Sequence, residues 1–250
     1  RGGRVPARGL AAARRAAVSL RVLAVVPARG GSQRVPRKNL AVLEGRTLVR
    51  RALDTALAAG CFATVALSSE DPAILDEAAG LPEVARIERP PELATDTARS
   101  YDVVRHVVET LERREPPYEA VAVVQCTSPF TAPEDLAGAV AHLAASGADS
   151  VVSVARVDAA LHPLKLKRLE GDRLLPFLAD DDMTPSHELP PLWLRNGSIY
   201  VSRREVIAEG RIVGDDVRGY EMPPERSHDI DTPTDLAFAE FLLRRERRLQ

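Results

Sequence analysis

The chain has 250 residues, 45% hydrophobic and 28% charged, a composition that fits one globular domain and excludes bulk disorder, a fibrous repeat or two full-size domains. With 34 basic and 36 acidic side chains the net charge is -2, so there is no electrostatic footprint for wrapping nucleic acid, and any anionic ligand must be met locally. The two cysteines, Cys61 and Cys126, are too few for a disulfide framework and point to a reducing compartment, the cytoplasm; the five histidines are too scattered for a zinc site, and no apolar run reaches the ~18 residues of a membrane span.

Six arginines and no acid occupy the first 21 residues, as in a transit peptide or a basic arm, and residues 1–20 are expected to form a flexible extension outside a single domain, 21–250. Residues 21–27 read as a strand buried on both faces and closed by a Gly-rich turn. A helix is expected over 47–59, stopped by Gly60, then a strand over 63–67 and a second helix opened by Asp71-Pro72. Within 99–113, Tyr101, Val104, Val108 and Leu111 share one helical stripe, and 120–125 reads as another buried strand. Thr131 to Glu134 has the form of a capping box opening a helix to about 145, and 150–154 is a further strand. From 161 to 191 the rhythm breaks: prolines 163, 176, 185, 190 and 191 and the triplet Asp180, Asp181 and Asp182 mark an insertion, a lid or a dimer contact. Residues 196–202 return as a strand, and the last helix is capped by Thr232, begins at Pro233 and runs to about 247. Strands alternating with helices predict an α/β fold: a mostly parallel, twisted sheet with helices on both faces and ligands at the carboxyl ends of its strands.

The loop PARGGSQRVPRKN, residues 27–39, is the strongest local feature. Gly30 and Gly31 let backbone N–H groups come close to a ligand, while Arg29, Arg34, Arg37 and Lys38 gather four cations near a strand end, which suits a polyphosphate. The loop matches neither the Walker sequence nor the dinucleotide fingerprint, and a solvated basic turn is the competing reading. A second feature is His228-Asp229-Ile230-Asp231. In an extended segment alternate residues face the same way, so Asp229 and Asp231 would present two hard carboxylates suited to Mg²⁺ while Ile230 turns inward; compensation of a helix dipole is the alternative. A cationic turn at the first strand end and paired aspartates at the last are complementary halves of a nucleotidyl-transfer site.

Together with RPPELATDTARS (89–100), QCTSPF (125–130), RNGSIYV (195–201) and DIDTPTDL (229–236), the loop resembles the ordered motifs of the CMP-N-acylneuraminate synthetase (acylneuraminate cytidylyltransferase) family, over about 21–243. The resemblance implies a Rossmann-like nucleotidyltransferase fold with a small inserted dimerisation segment. It implies in-line transfer of CMP from CTP to the anomeric hydroxyl of an acidic 2-keto-3-deoxy sugar of the sialic or nonulosonic type, with Mg²⁺ as cofactor, and a homodimer joined through 161–191. It further implies that Ala28, Arg29, Gly30, Gly31, Ser32, Arg34, Lys38 and Asn39 hold the CTP phosphates, Arg29 and Lys38 polarising them in catalysis. By the same resemblance Arg89, Ala98 and Ser100 read the cytosine, and Gln125, Ser128, Lys165, Asn196 and Tyr200 face the sugar. Asp229 and Asp231 carry the metal, and Asp229 or a metal-bound water accepts the hydroxyl proton. Two positions depart from the family pattern: Gln33 replaces a loop lysine, and Ser186-His187 stands where Arg-Gln is frequent. They keep two alternatives open, a cytidylyltransferase for a different keto acid and a non-catalytic nucleotide-sugar binding protein.

Overall fold

The computed structural model describes residues 20–32, 34–95, 97–178 and 184–249, with 246–249 described by backbone alone. The basic extension up to residue 19, Gln33 and the triplet Asp180, Asp181 and Asp182 lie outside the described residues, while Leu20, expected in the extension, packs against the core. In chain order the strands and helices are β1 (Val22–Pro27), β2 (Val42–Leu43), β3 (Arg46–Thr47), α1 (Leu48–Ala59), β4 (Thr64–Ser69), α2 (Pro72–Leu75), β5 (Val84–Glu88), α3 (Ser100–Glu112) and β6 (Ala120–Val124). There follow α4 (Pro133–Ser146), β7 (Ser150–Arg156), β8 (Lys167–Glu170), β9 (Arg173–Pro176), β10 (Trp193–Arg203), α5 (Arg204–Ala208), β11 (Val217–Glu221) and α6 (Pro233–Leu249).

Seven strands form one sheet in the order β11-β7-β10-β6-β1-β4-β5, in which only β10 runs against its neighbours. The pleat of β1 explains why it had to be apolar throughout. Val22, Ala24 and Val26 face a core completed by α1, α4 and α6, while Leu23 and Val25 face a second core completed by α3 and α5. Helices therefore cover both faces, as the alternation of elements requires. Thr47 caps α1 by accepting the Arg50 N–H at 3.1 Å, and Gly60 ends that helix in the left-handed region at φ 61°.

Three expectations need correction, and some elements were not expected at all. The cap of α4 is shifted by one residue: Ala132 is the N-cap, its N–H donates to Asp135 Oδ2 at 3.0 Å, and the Thr131 hydroxyl instead donates to the Ser128 carbonyl. The buried stripe of α3 is wider than Tyr101, Val104, Val108 and Leu111, because Val103 and Val107 are also buried and Tyr101 is only half covered. The segment 161–191 is not wholly irregular, since β8 and β9 form an antiparallel ribbon within it. Finally, β5, α5 and β11 carry weak periodicity in five residues each, and they form because the sheet offers them an edge or a face.

The parallel order brings the carboxyl ends of β1, β4, β5, β6 and β7 to one edge, and antiparallel β10 enters the sheet from that same edge. Near its entrance β10 bends: its pairing with β7 slips between Arg195 and Tyr200, and Gly197 supplies the required positive φ of 79°.

Candidate active site

The cleft at this edge has a volume of about 330 Å³. Arg29, Ser32, Lys38 and Asn39 reach it from the loop after β1, Arg89 from the end of β5, Ala98 and Ser100 from the start of α3, and Gln125 from the end of β6. Eight sequence-selected residues from three separated blocks thus share one concavity, which is what a parallel sheet does with the ends of its strands.

The loop is shaped by its own chain. The Ala28 N–H donates to the Ser68 carbonyl at 3.0 Å, and the buried Asn39 amide donates to the Arg29 carbonyl at 2.9 Å, folding the two ends of the loop together. Arg37 adopts a left-handed φ of 51°, unusual for a side chain with a Cβ, directly before the 3₁₀ turn 38–40 that carries Lys38 inward. An ion pair of 3.6 Å between Arg37 and Asp71 accompanies that strained turn. Gly30 sits against Asp71: a Cβ added there would lie 2.7 Å from Asp71 Oδ2, so no larger residue fits without movement. Its N–H, expected to face a phosphate, instead donates to Glu70 Oε1 at 2.7 Å. Gly31 is open, with nothing within 4 Å of such a Cβ.

The link that decides the arrangement spans 192 positions of sequence. Lys38 Nζ donates to the Ile230 carbonyl at 2.8 Å and to Asp231 Oδ1 at 3.0 Å, and Arg34 lies 3.6 Å from Asp231 Oδ2. The cationic loop and the paired aspartates therefore meet. Ile230 is fully buried, with its N–H on the Thr127 carbonyl at 2.8 Å, and this anchors the segment between half-buried Asp229 and exposed Asp231. Asp229 is half-buried, and one of its carboxylate oxygens has no hydrogen-bond partner among the described residues. Burial, helped by the nearby Asp231 charge, raises its pKa above the ordinary carboxylate value against the opposing Thr127 hydrogen bond and Lys38 charge. Such an oxygen wants a cation. No cluster of three or more His, Cys, Asp or Glu is present among the described residues; Asp229 and Asp231 are two hard oxygen donors, the ligand type that Mg²⁺ takes together with substrate phosphates and water. Arg89 is 5% exposed; it donates to the Ser68 carbonyl at 2.8 Å, and burial lowers its pKa from the free value.

Other sequence-selected residues do not line this cleft. Ser128 is buried beneath it, and its hydroxyl has no partner among the described residues. Tyr200 packs against the second core. Asn196 is buried and taken up by the protein: Oδ1 accepts from the Ser153 hydroxyl at 2.6 Å and the Ser198 N–H at 3.3 Å, and Nδ2 donates to the Ser227 hydroxyl at 2.9 Å and lies 3.3 Å from Met222 Sδ. Its observed role is to tie β10 to β7 and to the segment leading to Asp229. Lys165 lies by a second cavity of about 450 Å³, lined by Arg156, Asp158, His162 and Ser186, where its ammonium hydrogen-bonds the Ser186 hydroxyl. Sequence reasoning missed Ser68, Glu70, Thr95 and Thr127, which line or support the cleft. The polar run Ser68-Ser69-Glu70-Asp71 directly after an apolar strand was the available signal for two of them.

A family model described as cytidylyltransferase matches residues 23–243. The chain belongs to this family. It is accordingly a nucleotidyltransferase enzyme, as the loop and the paired aspartates suggested. It is 32% identical to the CMP-N,N'-diacetyllegionaminic acid synthase of Legionella pneumophila over 90% of this chain and 97% of that protein. It is also 32% identical to N-acylneuraminate cytidylyltransferase A of Danio rerio, over 89% of this chain and 50% of that protein, so it spans about half the length of that relative. Pseudaminic acid cytidylyltransferase of Campylobacter jejuni is 26% identical over 88% of this chain and 95% of that protein. A CMP:2-keto-3-deoxy-manno-octonic acid synthetase solved in complex with CTP has the same fold, with a TM-score of 0.67 and 19% identity over 90% of this chain and 99% of that one.

Proposed function

We propose that this enzyme transfers CMP from CTP to the anomeric hydroxyl of an acidic 2-keto-3-deoxy sugar of the nonulosonic type and releases pyrophosphate. The observation that carries the reading is the contact of Lys38 with Ile230 and Asp231, which joins a cationic phosphate loop to a pair of carboxylates at one edge of the sheet. The relatives in legionaminic, acylneuraminic and pseudaminic acid activation support the acceptor class.

In this reading Arg29, Ser32, Lys38 and Asn39 receive the triphosphate, and Ala98 and Ser100, one too small to obstruct a pyrimidine and one carrying a hydroxyl, flank the base with Arg89. Lys38 exchanges its Asp231 partner for phosphate oxygen when CTP binds, so cation and carboxylate are ready for charge that develops on the leaving pyrophosphate. Asp229 and Asp231 would hold Mg²⁺, which supplies neutralisation of phosphate charge when bound. Asp229 or a water held beside it would take the proton of the attacking hydroxyl. The acceptor would meet Gln125 in the cleft, and Lys165, by the second cavity, is the lysine the resemblance assigns to it. The contact of Lys165 with Ser186 favours a second reading, in which the acid differs from sialic acid in the part that meets this corner.

The homodimer is also a proposal. Leu169, Leu174, Phe177, Trp193 and Leu194 are exposed on or beside the ribbon of β8 and β9, an apolar surface that a second copy would cover. The decisive experiment is pyrophosphate release from CTP with a panel of keto acids, with and without Mg²⁺. Turnover with a nonulosonic acid supports the reading, turnover with other acids alone selects the second, and CTP binding without turnover makes the chain a nucleotide-binding protein.

A further inference from the structure

Glu70 stands where an acid is unexpected, among the cations of a site for a polyanion. Its Oε1 accepts the Gly30 N–H at 2.7 Å, and its Oε2, buried and without a hydrogen-bond donor among the described residues, lies 3.9 Å from Arg89 Nη1. The other face of the Arg89 guanidinium is fixed to Ser68, with Nη2 on the carbonyl at 2.8 Å and Nε 3.4 Å from the hydroxyl. Ser68 also accepts the Ala28 N–H through the same carbonyl. The Gly-rich turn after β1 and the arginine at the end of β5 are thus tied to one stretch at the end of β4, Ser68 to Glu70, by these five contacts. Three of these use Ser68 and two use Glu70, one of which sets Gly30.

Two roles are open to such a carboxylate. It could occupy a phosphate position and leave when CTP arrives, or it could stay and hold the turn. The packing favours the second. Glu70 is mostly covered, Gly30 is closed in by Asp71 on the side where a Cβ would lie, and releasing the carboxylate would leave Arg89, itself buried, without its only close counter-charge among the described residues. We infer that Glu70 is a positioning residue that holds the Gly30 turn and Arg89 in register, so that CTP meets the phosphate loop and the base-side arginine as one preformed surface. This rests on the reading of the cleft as the CTP site.

Titration calorimetry of CTP into the wild-type chain, E70A and E70Q, with steady-state kinetics in both substrates, tests it. E70A is expected to bind CTP about tenfold more weakly and to raise the KM for CTP by a similar factor, since a hydrogen bond to a charged group is lost. Its kcat at saturating CTP is expected to stay within about threefold and its KM for the acid to stay unchanged, because preorganisation is what is removed. E70Q keeps an oxygen for the Gly30 N–H and loses only the charge, so it is expected to recover part of the affinity, and it carries the test alone if the alanine variant fails to fold. Wild-type affinity in both variants overturns the inference. Tighter CTP binding in E70A overturns it as well, because that is the signature of a displaced anion. A wild-type chain that takes up no CTP breaks the reading of the cleft and the inference together, whereas wild-type uptake with an unaffected E70A breaks the inference alone.

Discussion

On the β1, β4 and β5 side of the sheet, the groups that face the cleft are held by the chain itself: Asn39 on the Arg29 carbonyl, Arg89 on Ser68, and Lys38 on Ile230 and Asp231. On the β7 and β10 side the corresponding edge carries a two-stranded ribbon whose leucines stand in solvent, Leu169 being 69% exposed and Leu174 67% exposed. The first region needs no second molecule to fix its geometry. The second leaves apolar side chains uncovered, the surface on which the proposed second copy would sit. The difference is one of internal tethering: the loop, Arg89 and Lys38 are fixed by hydrogen bonds within the chain, and the ribbon is not covered by it.

The largest effect should come from cutting the link between the two halves of the nucleotide side. Asp231→Ala is expected to lower kcat by at least 10²–10³-fold while CTP binding is partly retained, read by pyrophosphate release and calorimetry. Turnover at the wild-type rate would remove Asp231 from the chemistry. Lys38→Ala should cost on the order of 10²-fold in kcat/KM and weaken CTP binding, since it deletes a cation and the tether to the Ile230 carbonyl together. If Lys38→Ala instead changes only the KM for the acid, the division of the cleft drawn above is reversed.

Next in size is a change on the open side. Leu169→Glu combined with Leu174→Glu should shift the sedimentation coefficient from dimer to monomer and leave CTP affinity within about twofold, because no residue of the cleft is touched. A monomeric wild type would break this half of the comparison. A smaller effect is expected from Asp229. Its pKa is raised by burial, so the folded chain holds this proton more tightly than the unfolded chain does. Stability therefore falls as pH rises from the ordinary aspartate value through the raised one. Asp229→Asn removes that loss: without nucleotide or metal its Tm should exceed that of the wild type at pH 7, and the gap should close as pH falls below the ordinary aspartate value. An equal gap at all pH values would contradict the assignment.

The smallest effect is a control at the far end of α3. Glu112 accepts from Arg204 Nε at 3.0 Å and Nη2 at 2.9 Å, and that hydrogen bonding holds its pKa below the usual glutamate value. The contribution is present above the unfolded glutamate value and is lost as pH falls through the lowered one. Glu112→Gln should cost about 1 kcal/mol by urea denaturation at neutral pH and leave turnover untouched.

Much of this could be read from the sequence because the relevant signals are local. The β1 strand needed only its apolar run, α1 only Thr47 and Gly60, and the inward turn of Ile230 only its place as the one apolar residue between two aspartates. Asn196 shows where such reading stops. It belongs to a motif that resembles a sugar-binding block, yet its side-chain amide is engaged by Ser153, Ser198, Met222 and Ser227. Glu70 shows the converse, a residue with no motif of its own that takes the N–H of Gly30.

From the order of its residues alone the chain determined an α/β domain, its main strands and helices, and the two chemical halves of its site, because hydrophobic period, capping and charge act over a few neighbouring positions. Only the tertiary structure decided that Lys38 meets Asp231, that Gly30 is held by Glu70 rather than left for phosphate, and that β10 runs against the other strands. Those outcomes depend on which strand ends become neighbours, and that is settled by how the whole sheet buries its two apolar faces at once.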